Sequence, residues 1–417
     1  MTAVLFLLFM VFMLLGLPIA LAIGASTLIA LHAQGVPLMV VTQQMFQGIN
    51  SFALVAVPMF ILTGDIIAQG KISEKLINFA DALFGFLKGG LAIVSVMAGM
   101  FFAAISGSGA ATTAAVGSTL VPELKRKGYD PASSASLIAA SGTIGVVIPP
   151  SVPMIIYAVI AQESVAKLFL SGFLPGLAMG IGLMMIAIIQ AYRRNYPKGT
   201  PLSIKTILVT LKDASWGLMT PVIILGGIFS GVFTPSEAAV VAVNYALIVS
   251  LFIYRDLSLR QIYGILLRSA MTTSVIMLVI AMSAVLSWTL SSWQVPSSLA
   301  STVLSYSTNP YVIMLLVVLV ILLTGIFIET ASALIILTPV LLPLVTQLGI
   351  DPIHFGLIIV VGLAIGMITP PVAINLYVAS SVTRLPLEQI TKAIIPYLLV
   401  LIAVLMLVVY IPMLWTR

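Results

Sequence analysis

Four short stretches carry the residues most able to do chemistry in this chain. Ser106-Gly107-Ser108-Gly109 and Glu329-Thr330 each interrupt a long apolar run. Pro149-Pro150-Ser151 and Pro370-Pro371 interrupt two more. The first pair follows Ser141-Gly142-Thr143-Ile144-Gly145, and the second follows Gly366-Met367-Ile368-Thr369. Proline has no N–H and its ring clashes with the preceding turn, so each double proline breaks a helix. It is tolerated as the first residue of the next one. Such a break leaves carbonyl oxygens unpaired at one helix end and N–H groups at the other. Carbonyls and hydroxyls suit a dehydrated cation, and a helix N-terminus suits an anion. One set of candidates is Ser106, Ser108, Pro150 and Ser151. The other is Glu329, Thr330, Ser332, Gly366, Thr369, Pro370-Pro371 and Asn375.

Each candidate also has a plainer reading. Ser106 and Ser108 could be small residues for helix packing. Glu329 could cap a helix or snorkel, although a carboxylate at membrane depth is functional by default. Thr112, Thr113 and Ser118 are expected to pack or to bond back to their own helix. Asp65 lies near one end of its span, where an interface or partner contact is expected. Glu237, just after Pro235, reads as a capping carboxylate. His32 and His354 lie near the ends of spans and point to no specific chemistry.

The elements that must position these residues lie in a bilayer. Of 417 residues 61% are hydrophobic and 7% charged, against roughly 25% charged in a soluble domain. The chain is therefore read as an all-α polytopic membrane protein. Its net charge of +6 needs no nucleic acid, because basic residues on cytoplasmic loops account for it. There is no cysteine and hence no disulfide or thiol chemistry. Met1–Leu15 lacks a basic n-region, so no cleavable signal peptide is expected.

Basic residues cluster at Lys71–Lys88, Lys125–Lys127, Arg193–Lys212, Arg255–Arg268 and Arg384–Lys392, whereas 32–50, 291–310 and 346–352 hold none. By the positive-inside rule the clusters are cytoplasmic and the empty connections external. Residues 1–69 then form scaffold helices. Within them Met1–Gly16 and Pro18–Leu31 are two short crossings, or else one long tilted helix. Residues 70–88 form an amphipathic cytoplasmic arm. A first half, 89–195, holds a hairpin (89–127), a broken helix (132–160) and a helix (168–192). Central scaffold helices occupy 196–295, with crossings Trp216–Phe233, Ser236–Tyr254 and Met271–Trp293. An external arm follows at 296–309. The second half, 310–417, holds a hairpin (310–348), a broken helix (353–383) and a helix (388–415). Each hairpin begins and ends on one side, so both are expected to be re-entrant, with polar tips inside the membrane. Such backbone is tolerated only against protein or a wet cavity. Both chain termini are expected outside the cytoplasm.

The halves are related by an offset of 221 positions. Pro122 falls on Pro343, Gly128 on Gly349, Asp130-Pro131 on Asp351-Pro352, Gly145 on Gly366, Pro149-Pro150 on Pro370-Pro371 and Pro175 on Pro396. Matches among punctuating residues are not expected by chance. Five crossings separate the hairpins, which turns the second unit upside down. Inverted repeats with broken helices are the mark of secondary transporters.

The runs FFAAISGSGAATTAAVGS, KGYDPASSASLIAASGTIGVVIPPS, FIETASALIILTPVLLP and GLAIGMITPPVAINLYVAS closely resemble the large membrane subunit of the tripartite ATP-independent periplasmic (TRAP) transporters. Leu15–Pro18 and Val57–Asp65 fit as well, so the likeness spans essentially the whole chain. The resemblance implies sodium-driven import of an organic anion, such as a C4-dicarboxylate or sialic acid, across a bacterial or archaeal inner membrane. It implies a periplasmic substrate-binding protein and a small four-helix membrane subunit, expected here as a separate chain. Carried over by motif, Ser106, Ser108, Gly142, Thr143 and Gly145 would hold one sodium ion, and Glu329, Thr330, Gly366, Met367 and Thr369 a second. Substrate would sit between the tips, near Ser106, Ser108, Thr330, Pro150, Ser151, Pro371 and Asn375. The implied mechanism is an elevator, in which hairpins and broken helices move as one body, without an ATP site or organic cofactor. No Walker-type loop occurs in the sequence.

Other readings are weaker or remain open. An intramembrane protease would need paired aspartates, a serine with a histidine, or a metal cluster, and the sequence offers none of these in register. A channel fits two occluding hairpins poorly. A carrier that works without a binding protein shares every feature above, and Glu329 could carry a proton in place of sodium.

Overall fold

The computed structural model describes residues 1–199 and 201–415; Thr200 in the central segment and 416–417 at the end of the second half lie outside the described residues. Within them are nineteen α-helices. Eight helical segments are long and apolar enough to cross a membrane.

Helices α1 (Thr2–Leu14) and α2 (Ile19–Ala33) are separate, with Gly16 between them at φ +81. They pack through Leu5, Ile23 and Ala30. The chain here is thus two helices and not one tilted helix. At about 1.5 Å per residue each falls short of the ~30 Å hydrocarbon core. Residues 32–50, read as a bare connection, contain α3 (Met39–Ile49). A 3₁₀ turn leads into α4 (Ala56–Gln69). The expected arm is α5 (Ile72–Phe84), which buries Ile72, Leu76, Ile77 and Ala80.

Helices α6 (Gly90–Ser106) and α7 (Gly109–Arg126) are joined by two residues. Then follow α8 (Pro131–Thr143), a 3₁₀ turn at Ile144–Val146, α9 (Val152–Ala161) and α10 (Val165–Arg193). Helix α11 (Ile204–Phe229) packs on α5, where Gly217 admits Ile72; a Cβ there would stand 2.7 Å from its Cγ2. Lys75 and Asp213 pair at 3.1 Å along the same contact. Helix α12 (Pro235–Ile248) opens on a capping box between Thr234 and Glu237, the role expected of Glu237.

Helix α13 (Leu259–Ser292) has 34 residues. Both α11 and α13 begin well before the predicted crossings at Trp216 and Met271, because Ser203 and Ser258 cap them beyond the apolar stretch. The remaining helices are α14 (Val295–Tyr306), α15 (Pro310–Phe327), α16 (Thr330–Gln347), α17 (Pro352–Gly366), α18 (Ile374–Thr383) and α19 (Leu387–Trp415).

Corresponding points of the two halves share backbone conformation. Gly128 and Gly349 have φ +77 and +78, and both double prolines are cis. Asp130 and Asp351 each cap the helix that follows, α8 or α17. Those two helices form the centre of the core: Ser133–Thr143 and Phe355–Gly366 are buried throughout. Apolar side chains such as Leu174, Ile181, Val222, Leu266 and Leu319 are exposed on the periphery.

Candidate functional site

The first hairpin turns at Gly107, whose φ of +61 favours glycine. Ser108 is extended and caps α7, its Oγ accepting the Ala111 N–H at 3.4 Å. The turn is seated on the first break. A Cβ on Gly107 would lie 2.8 Å from the Pro150 carbonyl oxygen, and the Val152 N–H donates to the Gly107 carbonyl at 3.5 Å. Ser106 Oγ lies 3.0 Å from Thr112 Oγ1, which donates to the Ser108 carbonyl at 2.8 Å. Gly145 closes this group: a Cβ there would come 2.6 Å from Thr112 Oγ1 and 2.8 Å from the Ser108 oxygen. Thr112 thus bonds back to its own helix, as expected, and also faces Ser106 and Gly145. Thr113 bonds back to Gly109 at 2.9 Å.

Behind this tip lies the end of α8. Gly142 has no room for a side chain beside Thr113 Oγ1, the Gly109 carbonyl and Asn375. The Thr143 hydroxyl donates to the Ala140 carbonyl at 2.7 Å. Ser151 caps α9: its Oγ accepts the Met154 N–H at 3.3 Å and donates to the Val146 carbonyl. The N–H groups at this break are therefore partly engaged by the protein itself.

The second tip differs in chemistry. Glu329 caps α16, with Oε2 accepting the Ser332 N–H at 3.2 Å. Thr330 is 2% exposed and its Oγ1 has no hydrogen-bond partner. Gly366 abuts Gly325, where a Cβ would stand 2.5 Å from the carbonyl. The Thr369 hydroxyl donates to Ile365 at 2.8 Å. The Asn375 N–H donates to the Met367 carbonyl at 2.9 Å, and its Nδ2 to the Ala139 carbonyl of α8 at 3.2 Å. The buried Asn375 Oδ1 has no partner. Pro371 is exposed.

Both tips open into one cavity of about 660 Å³. Of the candidates, Ser106, Ser108, Glu329, Thr330, Ser332 and Met367 line it. Gly142, Thr143, Gly145, Pro150, Ser151, Gly366, Thr369, Pro371 and Asn375 are not among its lining residues. Helices α4 and α13 complete the wall, through Gly64, Asp65 and Thr272. Asp65 accepts the Ser269 hydroxyl at 2.6 Å. The cavity-facing placement of Asp65 adds to the interface or partner contact expected of it. Its depth along α4 was readable, but the face it presents depends on how α4 packs on the hairpin. Its place at the end of the Val57–Asp65 motif was the available signal. Among the described residues the cavity has two carboxylates in its wall and no Lys, Arg or His.

Paired helix–turn–helix tips over paired helix breaks, in a chain with eight candidate spans, define a polytopic membrane carrier of the broken-helix class. Residues 6–414 match the family described as "Tripartite ATP-independent periplasmic transporter, DctM component", and the chain belongs to it. It is 41% identical over 389 residues to the C4-dicarboxylate TRAP transporter large permease protein DctM of Pseudomonas aeruginosa, covering 93% of this chain and 91% of that one. It is also 41% identical over 412 residues to the isethionate TRAP transporter permease protein DctMQ of Oleidesulfovibrio alaskensis, covering 98% of this chain but only 65% of that relative's length. The crystal structure of the Alcanivorax borkumensis YdaH transporter has the same fold, with a TM-score of 0.67, 16% identity and 99% of both chains covered. These relatives are permeases rather than enzymes, and the chain is a multi-pass inner-membrane protein.

Proposed function

We propose that this chain is the permease subunit of a sodium-coupled importer of a small organic anion, a carboxylate such as a C4-dicarboxylate or sialic acid. A periplasmic binding protein delivers the substrate, and a small four-helix membrane subunit braces the scaffold. The observation that carries this reading is the shared cavity, which collects the serine tip of one half and the Glu329-Thr330 tip of the other. With no basic side chain in its wall, an anion needs cations beside it, and co-transported sodium supplies them.

The first sodium site is assigned to Ser106, Ser108, Gly142, Thr143 and Gly145. The second is assigned to Glu329, Thr330, Gly366, Met367 and Thr369, and the unpartnered Thr330 hydroxyl suits such a ligand. Hydroxyl, carbonyl and carboxylate oxygens are the donors a hard cation takes. Substrate lies in the cavity between the tips, at Ser106, Ser108 and Thr330; the assignment extends to Pro150, Ser151, Pro371 and Asn375 beyond its lining. The hairpins are re-entrant, the halves inverted, and the basic clusters face the cytoplasm with both termini outside. Hairpins and broken helices move together against α4 and α13 as an elevator.

Reconstitution tests this directly. Uptake into proteoliposomes should require a sodium gradient, the binding protein and the small subunit. Uptake by this chain alone would instead favour a stand-alone carrier. Glu329, open to the cavity, supports proton coupling as the second reading. Uptake that ignores sodium and follows a proton gradient would replace the first reading with it.

A further inference from the structure

A second cavity, of about 520 Å³, lies between α3, α9, α13 and α16. It shares a wall with the central one. Along α13, Thr272, Ile276 and Val279 face the central cavity, and Ile280, Ser283, Ser287 and Ser291 carry the same stripe into the second. Steps of three and four residues keep them on one helix face. The division repeats on α9, where Val152 lines the first cavity and Ile156 the second. It repeats again on α16, with Thr330 in the first and Ile335 in the second. Where the cavities approach, the residues are apolar: Val152, Ile156, Val279, Ile280 and Ile335. The second cavity lies toward the end of α13 remote from Arg260 and Arg268, which is the external side in the orientation proposed above.

The lining is uncharged and mixed, with the amides of Gln44, Gln47 and Gln162 and the serines of α13 set among apolar residues such as Ile160 and Trp288. Ser283 is 2% exposed and its Oγ has no partner. Elsewhere on α13, Ser274 and Thr289 spend their hydroxyls on the preceding turn, each at 2.8 Å, whereas Thr273, like Ser283, has no partner. Ser283 thus brings to the lining a hydroxyl that no group of the protein engages. The outer wall is fixed, because Gly48 of α3 is pressed against Ala284 of α13 with no room for a side chain.

We propose that this cavity is an outer waiting site. It takes the hydroxyl- and carbonyl-bearing part of the solute through neutral hydrogen bonds before the solute passes the apolar neck to the central cavity. The inference rests on the reading of the chain as a carrier. With no ionised group in the wall, binding there is weak and independent of sodium, as suits a site that must release its occupant inward.

The chain has no cysteine, so single cysteines report cleanly. Ser287→Cys and Thr272→Cys are reconstituted separately with the binding protein and small subunit. The membrane-impermeant thiol reagent methanethiosulfonate ethylsulfonate is supplied outside for Ser287→Cys and on both faces for Thr272→Cys, with succinate, isethionate or N-acetylneuraminate as solute. Ser287→Cys should react from outside, and the transported solute should slow it roughly tenfold with or without sodium. Thr272→Cys should be protected only with sodium. Protection of Thr272→Cys alone overturns the waiting site and leaves the carrier reading standing. Protection of neither overturns both. If neither Ser287→Cys nor Ser291→Cys reacts from outside, the cavity is closed and the inference fails. As a second measure, Ser283→Ala should raise the half-saturating solute concentration several-fold without changing the sodium requirement; a raised sodium requirement would contradict the proposal.

Discussion

Gly64 of α4 lies directly against the backbone of Ser106 at the first hairpin tip. A Cβ at position 64 would stand 2.9 Å from the Ser106 Cα and 3.2 Å from its carbonyl oxygen. The obstacle is main chain, which cannot swing aside, so even one methyl group must push the helix or the tip. Gly64→Ala should reduce uptake strongly while the protein still inserts and folds, since overpacking costs about 1–3 kcal/mol. Gly24→Ala is the matched control. The nearest atoms to its added Cβ all belong to the flexible Met282 side chain, the Sδ at 2.7 Å, and it should be nearly silent. Uptake normalised to the amount of folded protein by size-exclusion chromatography checks both.

Thr330→Val removes a buried hydroxyl that has no partner and keeps the shape of the side chain. Melting temperature should be unchanged or slightly raised, because no hydrogen bond is lost. The sodium concentration needed for half-maximal uptake should rise. Thr338→Val, about two turns further along the same helix, breaks the 2.7 Å bond to Leu334. It should lower the melting temperature and leave the sodium requirement alone.

Glu329→Gln keeps an oxygen for the Ser332 N–H but removes the charge. Sodium-driven uptake should fall by about tenfold or more, equivalent to at least 1.4 kcal/mol. Asp65→Asn likewise retains an acceptor for Ser269. It should change substrate affinity more than sodium dependence, because Asp65 lines the cavity from α4 and is in neither proposed sodium site. Equal sodium shifts in both variants would mean that the two carboxylates serve one cation site.

On α5, burial is the main cause that raises the Asp81 carboxyl above its usual range; nearby Lys127 opposes and Glu123 raises it further. The folded protein therefore holds this proton more tightly than the unfolded chain. Stability is greatest below the unfolded value and is lost as pH rises through the folded one. Asp81→Asn should raise the melting temperature at neutral pH, and the gain should disappear in acid. A thermal-shift series across pH measures this.

Local backbone rules made much of the fold legible. Gly128 and Gly349, the Asp130 and Asp351 caps and both double prolines mark boundaries that neighbouring residues alone decide. The hidden parts depended on distant ones. Residues 32–50 stood out in the sequence only for lacking Lys and Arg and read as a connection, yet α3 within them is helical and packs on α13. Lys205 and Arg260 masked the early starts of α11 and α13, which continue past the apolar stretch. Asp65 and Ser283 could be found in the sequence, but the cavities they face exist only once several helices are assembled.

The Asn375 amide, bonded to the Ala139 carbonyl across 236 residues of sequence, ties the second break into the first half. Met367 adds to the tie, its sulfur lying where it would meet a Cβ on Gly109 at 3.1 Å. A load applied to either half is therefore carried into the other. Pulled from its two ends by a single-molecule tether, the pair should give way in one rupture, and Asn375→Ala should split that event into two smaller ones.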